Sequence, residues 1–269
     1  MLDRGEQLNM ESNQESAPIL FTYPPSLDCE LGRFLLEYYG VHYTERRHAF
    51  IFSSFVTLWH GFTVIFPLLC GKSLRLVGPL SIAEYYDQHC APELRLWPDA
   101  PQAQAQIQSD WNLFNGSLAT ATAVVDYYYL LPHREQMVGP LSDGAPASEQ
   151  DAVRRAYPVF RGLLSLLLQL NPQHVEQSVG VIRSVFDTVA TRLAGVRQYL
   201  LGDRLTLSDL TFAVAAAPAV LPSTYGGPIP TFDQMPPEVQ ALVTEMRAHP
   251  AGVFALRIYE KHRKCFGPS

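Results

Sequence analysis

The stretch Leu205-Thr206-Leu207-Ser208-Asp209-Leu210 constrains the fold more than any other part of this chain. Thr206 can cap a helix by accepting from the amide of the third helical residue, and Asp209, at that position, can reach back to the amide of Thr206. Leu205 and Leu210 stand where a hydrophobic staple needs them. The helix opened by this box, Leu210 to Val220, has no charged residue and is rich in alanine. A helix that is apolar all round is stable only when covered on all sides. The chain is therefore expected to surround this helix with others.

The neighbouring segments meet that demand. Gln102 to Leu131 reads as a long helix, Pro132 to Ser148 as a loop rich in Gly, Pro and Ser, and Glu149 to Leu170 as a helix bent near Pro158. Pro172 sits where a helix begins, and that helix runs to about Arg197. A loop from Pro222 to Pro237 leads to a final helical region, Glu238 to about Lys264, broken at His249-Pro250. No convincing strand lies beyond Trp97-Pro98-Asp99-Ala100-Pro101, whose two prolines mark a linker.

Before the linker the pattern changes. Ile19 to Tyr23 reads as a short buried strand ended by Pro24-Pro25, and Ser26 to Tyr39 as a helix stopped at Gly40. Val41 to His48 alternates as a second strand would. Phe50 to Phe62 is aromatic-rich and fits no template cleanly. Val64 to Leu69 and Ser73 to Val77 read as two more strands, and Ser81 to His89 as a helix. The order is β-α-β, an irregular connection, then β-β-α. The expected layout is a flexible tail at 1–17, an α/β domain at 18–92, a linker at 93–100 and an all-helical domain at 101–269.

With 269 residues, 47% of them hydrophobic and 17% charged, the chain can bury two cores. A net charge of −6 argues against a broad footprint for nucleic acid or an anionic membrane. A local basic patch at Arg46-Arg47-His48 stays open beside a solvated strand end. Cys29, Cys70, Cys90 and Cys265 show no CxxC pair and no zinc-ligand spacing, which fits a reducing compartment. His60, His89, His133 and His174 have no ligand spacing, so no metal is expected. The first residues are polar and acidic, unlike a signal peptide. The expectation is a cytoplasmic protein.

Tyr199 to Leu210, with its cap and staple, resembles the start of the central buried helix in the C-terminal domain of glutathione S-transferases. The β-α-β then β-β-α order, with Pro67 in Ile65-Phe66-Pro67-Leu68-Leu69, is similar to that family's thioredoxin-like first domain. The resemblance runs from about residue 18 to 265. It implies a thioredoxin-like N-terminal domain followed by an all-helical one, a cis peptide at Pro67, glutathione as co-substrate and a homodimer. It also implies that the backbone of Phe66 pairs with the cysteinyl unit of glutathione.

The resemblance places the activating residue of the serine and cysteine classes at Ser26-Leu27-Asp28-Cys29. A helix N-terminus favours an anion, and a hydroxyl there can donate to a thiolate. Ser26 is the candidate, with a plain N-cap as the alternative. Cys29 is a second candidate, against a small buried residue; Tyr23 offers another hydroxyl. The acid-serine pair that the family uses for the γ-glutamyl group falls here on Gly78-Pro79, which supplies no side-chain donor or acceptor. Ser81 is a partial substitute. Tyr23, Trp111, Phe114 and Tyr127 are the candidate walls of an acceptor pocket. The expected function is thiol transfer to a small apolar electrophile. The alternatives are a glutathione-independent isomerase or lyase, or a non-catalytic binding protein on the same scaffold.

Overall fold

The computed structural model describes residues 17–195 and 197–263. The tail expected at 1–17 lies, but for its last residue, outside the described residues, as does Cys265.

The chain opens with strand β1 (Ile19–Thr22), helix α1 (Leu27–Tyr38) and strand β2 (Thr44–Arg47). Helix α2 (Phe50–Gly61) follows, then β3 (Leu68–Cys70), β4 (Arg75–Val77) and α3 (Gly78–His89). The sheet order is β2-β1-β3-β4; β1 runs parallel to β2 and antiparallel to β3, and β3 is antiparallel to β4. Ser26 caps α1, its side chain accepting from the Cys29 amide at 3.3 Å. Gly40 ends the helix region with φ +71°, which suits glycine. The aromatic stretch after β2 is thus a helix, and β3 begins at Leu68 rather than Val64, just past a cis Phe66–Pro67 bond.

The register sorts the sheet into two faces, because residues paired directly across strands point the same way. Phe21, Arg46, Leu68 and Val77 share one face, with Ile19, Thr44, Cys70 and Arg75. Helix α2 covers that face, its His60 ring stacked on Phe21 at 4.7 Å. Leu20, Thr22, Glu45, Arg47 and Leu69 point to the other side, where Arg33 of α1 donates to Glu45.

A short 3₁₀ turn and linker lead to the helical part. Asp87 of α3 anchors the linker by accepting from the amides of Leu96 and Trp97. Helix α4 (Pro101–Trp111) runs through a π-helical stretch, Asn112–Leu118, into α5 (Ala119–Leu130). The one long helix expected here is therefore widened in its middle. Three shorter helices follow: α6 (Arg134–Ser142), α7 (Ala147–Arg155) and α8 (Tyr157–Leu167). The loop expected at Pro132 to Ser148 is corrected by α6, which carries Pro140 in its interior. Burial of Met137 and Leu141 outweighs the hydrogen bond that the proline cannot make. The bend expected near Pro158 is a break at Ala156, with the proline in the first turn of α8.

Asn171 caps α9 (Pro172–Leu193) by accepting from His174 N at 2.9 Å. The capping box at Thr206 and Asp209 opens α10 (Leu207–Val220), and all of its residues are buried. The Arg247 guanidinium donates to the carbonyls of Val220 and Leu221, satisfying the helix end. Helices α11 (Pro237–Ala248) and α12 (Pro250–His262) complete the shell, divided at His249. Among the described residues no helix is long and apolar enough to cross a membrane.

Candidate functional site

Four pieces of the chain meet at the C-terminal edge of β1: the turn Tyr23 to Ser26, the first turn of α1, the cis peptide before β3, and the start of α3. Pro67 packs on α1, so close to Gly32 that a Cβ there would lie 2.7 Å from the proline Cγ. Carbonyl Pro67 O accepts from Gly78 N at 2.8 Å, tying the cis turn to α3. The Phe66 ring lies edge-on to Tyr23, centroids 5.8 Å apart. Among the described residues nothing hydrogen-bonds to the backbone N–H or C=O of Phe66. That is an unpaired length of backbone leading into β3, beside a helix N-terminus.

Ser26 is half-buried at this edge. Its oxygen accepts from Cys29 N, and its hydroxyl also hydrogen-bonds the Cys29 thiol, so the hydrogen is engaged with Cys29. Donation to a ligand requires this hydroxyl to turn away from Cys29 while its oxygen keeps the cap. Cys29 is fully buried, its sulfur accepts from Tyr23 N at 3.4 Å, and burial pushes its thiol up to about 12 against the opposing pull of Arg33. A thiol held neutral in this way is not a reactive nucleophile, so the small-buried-residue reading is the one the geometry supports.

Tyr23 is buried, and its hydroxyl lies 3.2 Å from that of Tyr127 on α5. Burial, then the neighbouring Tyr127, pushes the Tyr23 phenol well above its usual range. Tyr127 is raised to about 12, again by burial first. Both stay protonated at neutral pH, one donating to the other across their shared hydrogen bond. Tyr127 also lines a cavity of about 450 Å³ with Tyr128, Tyr129, Arg161 and Glu238. The expected wall residues divide here. Phe114 is corrected to the core: it is fully buried, edge-on to Phe212 at 5.2 Å. Trp111 is half-buried and packs against the same core.

At α3, Gly78 and Pro79 are buried and offer no side-chain polar group. The Ser81 hydroxyl lies 2.7 Å from Val77 O and 3.0 Å from Gly78 O, so its hydrogen is already committed to the helix start. The amide of Leu80, in the first turn, is left for a ligand or water.

Two carboxylates that the sequence did not single out as site residues border this region. Asp28, in the first turn of α1, bonds the Asn115 side chain in the π-helical stretch, and burial raises its pKa. Asp126, next to Tyr127, has no hydrogen-bond or ion-pair partner among the described residues, and burial pushes it up to about 8. No local pattern marks either; only the tertiary packing does.

A network of buried charges fixes α1 against the helical part. Glu30 pairs with Arg33 and Arg263, and accepts from Gly226 N and Tyr259 OH. Arg33 reaches Glu45 on β2 at 2.8 Å, and Arg263 also pairs with Glu37. Burial raises Glu37 to about 7 against the pull of Arg263. Elsewhere Asp143 and Glu149 of the α6–α7 region grip Arg47, His48 and the Ala49 amide. Each clamp needs a partner from the opposite half of the chain, so the site's walls are held by long-range contacts.

Comparison with known structures decides the fold. The glutathione S-transferase of Sinorhizobium meliloti is 20% identical, with a TM-score of 0.54 over 92% of this chain and 94% of that one. The fold is that of the glutathione S-transferases. The glutathione S-transferase of Ceriporiopsis subvermispora, solved in complex with glutathione, gives 0.60 at 14% identity over 93% and 99%. Glutathione transferase GSTFuA3 of Phanerochaete chrysosporium gives 0.62 at 13% over 94% and 100%. The family described as glutathione S-transferase, C-terminal domain, matches residues 172–241, which hold the capping box and central helix. No curated protein matches the sequence.

Proposed function

We propose that this chain is a glutathione transferase-like enzyme that activates a thiol at the start of α1 and passes it to a small apolar electrophile. The observation that carries this reading is Ser26: it caps α1 at a half-exposed helix N-terminus, beside the unpaired backbone of Phe66, where its hydroxyl can turn from Cys29 to a bound sulfur. In this reading the Phe66 N–H and C=O pair with the cysteinyl unit of glutathione. Ser26 donates to the sulfur and, with the α1 N-terminus, favours the thiolate. The thiol proton goes to solvent; the thiolate then attacks the electrophilic carbon, the S–C bond forming as that carbon's leaving group departs with its electron pair or, in an addition, as the adduct takes up a proton. The aromatic side at Tyr23 and Tyr127 receives the apolar partner, with two neutral hydroxyls to orient it. A cytoplasmic homodimer belongs to the same reading. One structural neighbour holds glutathione, which supports the choice of thiol.

Gly78-Pro79 and the committed Ser81 hydroxyl favour a second reading: a non-catalytic binding protein, or a glutathione-independent isomerase or lyase, on this scaffold. Titration with glutathione separates the two. Under the first, millimolar glutathione raises the melting temperature, and Ser26→Ala lowers kcat/KM about tenfold to a hundredfold by removing a hydrogen bond to an ionised sulfur. The same variant shifts the ultraviolet titration of the bound thiol to higher pH. An unchanged melting temperature with glutathione present points to the second reading.

A further inference from the structure

Helix α2 is built inside out. Its buried residues are Ser53 and Thr57, whose hydroxyls donate to the carbonyls of Phe50 and Ser54. Its exposed residues include Phe55, Leu58 and Trp59, and the following turn adds Phe62, Val64 and Ile65, with Trp59 82% and Phe62 81% exposed. Together they present on the order of 800 Å² of apolar surface, above the few hundred Å² usual for the largest patch on a monomer. From Ala49 to Gly71 the chain carries no Asp, Glu, Lys or Arg.

The exposed, unpaired charges around this surface have one sign; the carboxylate that touches the helix, Glu149 at the Ala49 amide, is buried and paired with His48. The sheet face beneath α2 carries Arg46 on one edge strand and Arg75 on the other, with Lys72 in the turn between β3 and β4. All three are exposed, none is in an ion pair among the described residues, and the Arg75 guanidinium sits 5.6 Å over the Phe62 ring. No carboxylate lies on α2 or on that sheet face. In a chain of net charge −6 this face is an exception. The three adjacent basic residues of the sequence are split by the fold: Arg47 is paired on the far side, His48 stacks near Phe21 and bonds Glu149, and Arg46 is exposed without an ion pair among the described residues.

We propose that the α2 face docks on a lipid bilayer carrying anionic headgroups, with Trp59 and Phe62 entering the interface and Arg46, Lys72 and Arg75 facing the headgroups. Aromatic residues bordered by cations suit that boundary. A two-fold contact centred on this patch would bring the two cationic rims together. The sequence argued only against a broad anionic footprint; this one is local and lies on the surface of the bilayer without crossing it.

The test uses the full chain with phosphatidylcholine vesicles, with and without phosphatidylserine, in a flotation assay at low and high salt. The chain is expected to float with the anionic vesicles and to be released by salt. Trp59→Ser with Phe62→Ser is expected to weaken binding roughly a hundredfold, with an unchanged melting temperature as evidence of folding. Arg46→Gln, Lys72→Gln and Arg75→Gln together should abolish the preference for phosphatidylserine. Failure of the wild type to bind either vesicle, or binding untouched by the Trp59 and Phe62 changes, overturns the proposal. So does a concentration-dependent dimer that these changes dissolve without any vesicle binding, which assigns the face to a second copy.

Discussion

Helices α10 and α2 are both apolar, yet the fold uses them in opposite ways. Every residue of α10 is buried, with Phe212 edge-on to Phe114 and Phe186 and stacked near Phe254. Helix α2 turns its hydroxyl residues inward and leaves Phe55, Leu58 and Trp59 in solvent. The contrast shows that apolar composition reports a demand for cover without naming what supplies it. For α10 the supply is its own chain, from α1, α5, α9, α11 and α12. For α2 the sheet covers one side, and the cover for the other comes from outside the fold.

The largest test of that contrast is Phe212→Ala. Removing a fully enclosed ring should cost about 4 kcal/mol, read as a lower denaturation midpoint at constant slope. A loss below about 1 kcal/mol would break the contrast by showing that the α10 surroundings collapse freely onto the gap.

A smaller effect follows from the carboxylates buried on the helical side. Burial raises Asp126 to about 8 and Asp209, in the α10 cap, to about 6. Each therefore binds a proton more tightly in the folded chain than in the unfolded one. Their stabilising contribution is complete below the unfolded pKa near 4 and is lost as pH rises through about 6 and then about 8. Lowering pH from 8 towards 5 should raise the melting temperature. Asp126→Asn should stabilise the chain at pH 8 by about 2 kcal/mol and flatten the upper part of that slope. A slope unchanged by Asp126→Asn would remove Asp126 from this role.

The smallest effect is expected on α2. Trp59→Ser should change stability by no more than about 0.5 kcal/mol in dilute solution. A loss near that of Phe212→Ala would mean that the isolated chain already covers this face.

What the sequence disclosed was local in its physics. The cap at Thr206 and Asp209, the Ser26 cap and the break at His249-Pro250 depend on residues a few positions apart. The cis bond at Pro67 was reached through resemblance, and the structure has it. Helix α6 was hidden because Gly139-Pro140 reads as a breaker, and only the packing of Met137 and Leu141 overrides it. Phe114 looked like a pocket wall because a helical aromatic stripe does not say which neighbour it meets. Asp126 and the π-helical stretch have no local signature at all. The candidate site was therefore half legible: its position at the start of α1 could be read, while its walls are contacts between distant segments.

The link from Glu30 and Glu37 to Arg263 gives the site a place in time. Glu30 and Arg263 are 233 positions apart, and Glu30 lies one turn beyond Ser26 on the same helix. During synthesis α1 is made well before its counter-ion, 233 positions later. Until Arg263 leaves the ribosome, Glu30 has only Arg33 of its two cations, and Glu37 lacks the guanidinium that it pairs with. Helix α1 is thus locked only once Arg263 has been made, and the surface around Ser26 is finished no earlier.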